Sequence, residues 1–106
     1  MKGHLNPMSY LLRVQMPDSP GSLGYLAAAL GEAGGDIRSV DVVDYLPNGY
    51  VIDDIVVALP TGNLPDTLIT AAHTLDDVEV DSIRPFSGSV DRRGQITMLA
   101  ELSPKS

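Results

Sequence analysis

From Tyr10 to Met16 apolar and polar side chains alternate, with Tyr10, Leu12, Val14 and Met16 on one side and Leu11, Arg13 and Gln15 on the other, which predicts a strand. Pro17 ends it. In the following Asp18-Ser19-Pro20-Gly21-Ser22, Ser19 is placed to cap a helix whose first residue is Pro20. Leu23, Leu26, Ala27 and Leu30 then recur at helical spacing, and Gly34-Gly35 supplies the stop. Two further extended stretches, residues 37–46 and 50–59, flank Pro47-Asn48-Gly49, where Asn-Gly fits a tight antiparallel hairpin that needs positive φ. Leu64, Leu68, Ala71, Ala72 and Leu75 mark one face of a second helix, with Pro65 tolerated in its first turn. Residues 78–84 form the last strand, Val78 and Val80 on one face and Glu79 and Asp81 on the other.

The order is strand, helix, strand, strand, helix, strand. It predicts an α+β, ferredoxin-like βαββαβ sandwich, a four-stranded antiparallel sheet with both helices on one face. In the third strand both alternating sets, Val51, Ile55, Val57 and Tyr50, Ile52, Val56, are apolar, interrupted by Asp53 and Asp54. The outer face is therefore too apolar to stay wet, and a second copy of the chain or the tail is expected to cover it. Residues 10–86 form the domain, residues 1–9 a flexible N-terminus, and residues 87–106 a tail or the start of a further segment. Within that tail residues 95–102 fit either a strand or a short helix.

Composition narrows the functional classes. The 106 residues include no cysteine, which excludes a disulfide scaffold, a thiolate metal site and a cysteine nucleophile. A formal charge of −7 disfavours nucleic acid and anionic membrane surfaces, and the only basic cluster is the pair Arg92-Arg93. No apolar run approaches the roughly 20 residues needed to span a bilayer, and no signal-peptide pattern opens the chain, so a cytoplasmic location is expected. A domain this small gains from assembly with a partner.

The segment Asp18-Ser19-Pro20-Gly21-Ser22-Leu23 after the first strand, together with Ala33-Gly34-Gly35-Asp36-Ile37 at the entry to the second, resembles the ACT domain family. The run from Gly31 to Ile37, with Val40-Asp41 beyond, is similar to the ACT segment found ahead of some malic enzymes. The resemblance spans about residues 10–86. It implies a non-catalytic regulatory module without a cofactor, a homodimer that binds a small amino acid or related zwitterion at a subunit interface and acts on a metabolic enzyme. Carried over residue by residue, the ligand-binding set is Asp18, Ser19, Pro20, Gly21, Ser22 and Leu23, with Asp36 and Ile37 on the opposing segment. Physical chemistry gives the first loop the same capacity. Gly21 lets a ligand approach the backbone, the first helical amides suit a carboxylate, and Asp18 or Asp36 can hold an ammonium group. Asp36 stands where the family usually has Asn; ionised, it accepts hydrogen bonds only and repels a carboxylate. A ligand must then turn its amine to Asp36, or the module serves assembly without a ligand. Asp18 and Ser19 as simple caps, and Gly21 as a close-packing glycine, are the structural alternatives.

Other chemistry is poorly supported. His73 lies on the second helix near Asp76 and Asp77 and reads as a surface ion pair or helix-end interaction, while His4 lies in the N-terminus. Asp53-Asp54 and the acidic run around Asp76, Asp77, Glu79 and Asp81 lack a calcium-loop spacing, and adjacent strand carboxylates point to opposite faces; Asp53 or Asp54 is better placed to line an assembly groove. Gly31, Gly34 and Gly35 end a helix and make no phosphate loop. RNA binding on this topology requires exposed aromatics on the central strands and a basic rim. The aromatic residues are Tyr10, Tyr25, Tyr45, Tyr50 and Phe86, and Tyr45 and Tyr50 flank the hairpin as packing or interface residues. Acyl-phosphate hydrolysis would need an arginine where Asp18 sits.

Overall fold

A computed structural model describes residues 8–87 and the backbone of 89–90 and 96–97. The elements are β1 (Met8–Pro17), α1 (Ser22–Glu32), β2 (Asp36–Tyr45), β3 (Tyr50–Leu59), α2 (Asp66–Ala72) and β4 (Glu79–Pro85). Two short strands, β5 (Ser89–Val90) and β6 (Ile96–Thr97), pair antiparallel. The strand in β6 answers part of the choice at residues 95–102; the rest of that stretch and residues 1–7 lie outside the described residues.

The four long strands form one antiparallel sheet in the order β2-β3-β1-β4 with both helices on one face, the ferredoxin-like α+β sandwich. Parity sorts the side chains. Leu12, Val14 and Met16 of β1 pair in register with Ile55, Asp53 and Val51 of β3, and these rows face the helices. There Leu26 and Leu30 of α1 and Leu68 and Ala72 of α2 complete the core. The opposite face carries Leu11, Arg13 and Gln15 against Val56, Asp54 and Ile52. Arg13 there donates from Nε and a terminal nitrogen to both carboxylate oxygens of Asp54, at 2.8 and 2.9 Å, and Gln15 donates to Asp81 at 3.0 Å. The same face is apolar at its other end, where Leu11, Val56 and Ala58 are buried. Just past β4 the Phe86 amide donates to the Ser9 carbonyl at 2.8 Å.

Local chemistry shifts some boundaries. α1 starts at Ser22 with Gly21 at its N-cap and no side-chain cap, so Ser19 is not the cap and Pro20 is not the first helical residue. Residues 19–22 close a turn instead, in which the Ser22 amide donates to the Ser19 carbonyl at 3.1 Å and the two hydroxyls meet at 2.9 Å. The Ser19 hydroxyl thus bonds within the turn, and no side chain caps the helix amides. At the other end Gly34, at φ +93°, adopts the left-handed conformation, with Gly34 donating to Gly31 and Gly35 to Leu30, the bonds of a Schellman stop. The hairpin forms at Pro47-Asn48-Gly49 as expected, with the positive φ at Gly49. Pro47 holds a negative φ, Gly49 alone is positive at +86°, and the Gly49 amide donates to Leu46, a type I turn followed by a left-handed glycine. α2 spans only Asp66–Ala72, so Leu64 precedes it and is exposed while Leu68, Ala72 and Leu75 face the core. His73 is its exposed C-cap, and among the described residues it forms no ion pair with Asp76 or Asp77.

Candidate functional site

The first loop is held by the hairpin. Pro17 pairs with Tyr50 at the end of the β1–β3 ladder, and the Asp18 amide then donates to the Gly49 carbonyl at 2.9 Å. Because α1 begins only at Ser22 it does not reach over this corner of the sheet, and a cavity of about 170 Å³ remains. Its floor is Met16, Val51 and Asp53, one side is Val42 and Tyr45 of β2, and the other is Asp18, Ser19, Ser22 and Leu23. Leu23, expected in the core stripe, is exposed and lines this cavity instead.

Asp53 dominates the electrostatics. Its parity places it on the helix side of the sheet, between Val14 and Val42 on the neighbouring strands, and it is 4% exposed. Its Oδ1 is buried and has no hydrogen-bond partner among the described residues, a costly state for a carboxyl group. Burial pushes its pKa above the usual carboxylate value, and the charges of Asp18 and Asp54 push it further the same way. Of the cavity-lining residues, the two charged ones are Asp18 and Asp53, both acidic. The amides of Leu23, which lines the cavity, and of Gly24 next to it find no acceptor among the described residues, as the second and third residues of α1.

The expected site residues divide between two ends of the molecule. Asp18, Ser19, Ser22 and Leu23 converge on the cavity, whereas Pro20 and Gly21 form the turn beside it. A side chain at Gly21 would press only on the exposed ring of Tyr25, 3.2 Å away, so helix–sheet packing does not require glycine there. Asp36 and Ile37 pair with Ala58 and Val57, seven and six residues along β3 from Val51, about 20–23 Å away at 3.3 Å per residue. Asp36 there accepts from Arg38 at 3.3 Å, and both line a second hollow of about 340 Å³ with Gly34, Ala58, Leu59, Pro60 and Thr61. That hollow is larger, but its charges neutralise each other. The first-loop cavity, by contrast, has two acidic side chains and no cation among its described lining residues.

Among the described residues no group of three or more His, Asp or Glu is arranged to hold a metal ion, and no helix is long and apolar enough to cross a membrane.

No family model matches the chain. A search of curated proteins finds similarity to NAD-dependent malic enzyme 1 of Bacillus subtilis (strain 168), 29% identical over 96 residues, which is 90% of this chain and 22% of that enzyme. The chain therefore spans about a fifth of the length of this relative.

Proposed function

We propose that the chain is a non-catalytic regulatory domain of the ACT type that binds a small amino acid or related zwitterion in the first-loop cavity, as part of a homodimer, and so controls a metabolic enzyme. The observation that carries this reading is the convergence of Asp18, Ser19, Ser22 and Leu23 on one cavity of about 170 Å³ that also holds the unpartnered carboxyl of Asp53. A carboxylate beside free helical amides offers a partner for each charge of a zwitterion. The ferredoxin-like topology and the similarity to a region of a malic enzyme point the same way. Asp36 and Ile37 fit this scheme only if a second copy brings them to the loop, since within one chain they lie at the far end of the sheet. Binding at a subunit boundary then stabilises the dimer and transmits occupancy to the attached or docked enzyme.

A second reading, an assembly module without a ligand, is favoured by one feature. β2 is an edge strand and exposes Val42, Val43 and Tyr45, apolar side chains suited to a partner surface. The two readings separate on thermal denaturation of the chain with each common amino acid, with the subunit mass followed in parallel. At a free ligand concentration a hundred times Kd, binding adds about 2.7 kcal/mol, roughly 10 °C or more in Tm for a domain of this size. A firm dimer that no amino acid stabilises supports the assembly reading.

A further inference from the structure

We infer that Asp53 is the anchor for the ligand's ammonium group, so that the cavity selects ligands by a primary amine and admits small apolar amines that carry no carboxylate. This rests on the reading of the first-loop cavity as an amino-acid site.

The two neighbouring carboxylates of β3 make the contrast. Asp54 points to the outer face and is satisfied by a two-pronged bond from Arg13. Asp53 points to the helix face, is more than nine-tenths buried, lines the cavity floor and has no partner for Oδ1. A buried carboxyl left unpaired lowers stability, and such a group persists where a function uses it. The groups facing it are Val14 on β1, Val42 on β2, and across the cavity Asp18 and the hydroxyls of Ser19 and Ser22. Among the described residues no Lys, Arg or His lines the cavity, so none of them supplies the missing positive charge there. An incoming ammonium group does, with N–H donors for Oδ1 and attraction from Asp18 as well. The raised pKa of Asp53, caused first by burial and then by Asp18 and Asp54, is relieved by the same cation.

The rest of the ligand is constrained by the walls. Met16, Leu23, Val42 and Val51 give an apolar lining, so the body beyond the amine is small and aliphatic. The carboxylate of an amino acid reaches only the exposed end of α1, at the amides of Leu23 and Gly24, where solvent weakens its contribution. The amine thus contributes more to affinity than the carboxylate does.

The test is isothermal titration of the full chain and of Asp53→Asn with three probes. These are the amino acid giving the largest thermal shift among the common twenty, the amine formed by removing its carboxylate, and the acid formed by removing its amine; for valine they are isobutylamine and 3-methylbutanoate. The expected order is the amino acid first, the amine within about tenfold of it, and no binding by the acid. Asp53→Asn is expected to weaken the two amine-bearing probes by about tenfold or more, the loss of one charge-assisted bond. Binding of the amino acid that Asp53→Asn leaves unchanged, or binding of the acid but not the amine, overturns the assignment to Asp53 and leaves the amino-acid site standing. If none of the twenty amino acids binds the unaltered chain, the amino-acid reading and the assignment fall together. Circular dichroism of Asp53→Asn confirms that a loss of binding is not a loss of fold.

Discussion

The backbone amide of Asp18 donates to the carbonyl oxygen of Gly49 at 2.9 Å, tying the loop after β1 to the turn between β2 and β3. The site's position is thus set by a glycine thirty-one residues away, which alone in its turn adopts a left-handed φ of +86°. No atom lies within 4 Å of a side chain built at Gly49, so a substitution there acts through the backbone alone. Gly49→Val is expected to cost about 1–2 kcal/mol in urea denaturation and to speed hydrogen exchange at the Asp18 amide. Gly49→Asn, which tolerates this conformation better, is expected to cost less.

Asp53→Asn is expected to make the ligand-free protein more stable at neutral pH. The folded state raises the pKa of Asp53 by burial first, then through Asp18 and Asp54, while the unfolded chain titrates it in the ordinary range. Between those two values the native state binds more protons than the unfolded state. The contribution of Asp53 is therefore fully present below the unfolded pKa and is lost as pH rises through the folded one. The neutral amide escapes that loss. Thermal melts should show the variant ahead by on the order of 1 kcal/mol at pH 7, with the gain shrinking as pH falls and vanishing below about 4.

Gly35 is required by close packing. A side chain there would place its first carbon 2.7 Å from Cγ1 of Val57 and 3.0 Å from the carbonyl oxygen of Leu30. Gly35→Ala is expected to lower stability by about 1–3 kcal/mol, whereas Gly21→Ala, which meets only the exposed Tyr25 ring, should stay within about 0.5 kcal/mol. Chemical denaturation of the two variants side by side checks the contrast.

The layout of the fold is legible because the alternation in the first and last strands and the helical spacing between them mark the element order. Tyr10, Leu12, Val14 and Met16 share one parity and face the helices together, with Tyr10 at the margin of the core. The same rule, applied through the apolar run of β3, places Asp53 with Val51, Ile55 and Val57 on the helix face. A carboxylate at a core parity is the signal for the cavity floor, but with both faces of β3 apolar the sequence alone does not distinguish Asp53 from Asp54. Val42, Tyr45, Val51 and Met16 could not be grouped with the first loop before the register was known, because they come from three strands. Ser19 misled for a different reason. A serine before a proline fits a cap, yet a turn closed by its own carbonyl and hydroxyl was equally available to it.

The Arg13–Asp54 pair bridges the two central strands on the outer face with both nitrogens engaged. The Asp54 side chain is largely shielded, while that of Arg13 is 43% exposed, so solvent screens the attraction. A double-mutant cycle with Arg13→Ala and Asp54→Ala is expected to give a coupling of about 0.5–1 kcal/mol that declines as salt is raised.

The central claim is that an amino acid occupies the corner between the first loop and the hairpin. Amide chemical shifts of the labelled chain, followed while the stabilising amino acid is titrated in, test it most directly. The account predicts that the largest changes cluster at Asp18, Ser19, Ser22 and Leu23 together with Val42, Tyr45, Val51 and Asp53. Changes confined to Gly34, Asp36, Arg38 and residues 58–61, at the opposite end of the sheet, or no changes at saturating amino acid, would contradict it.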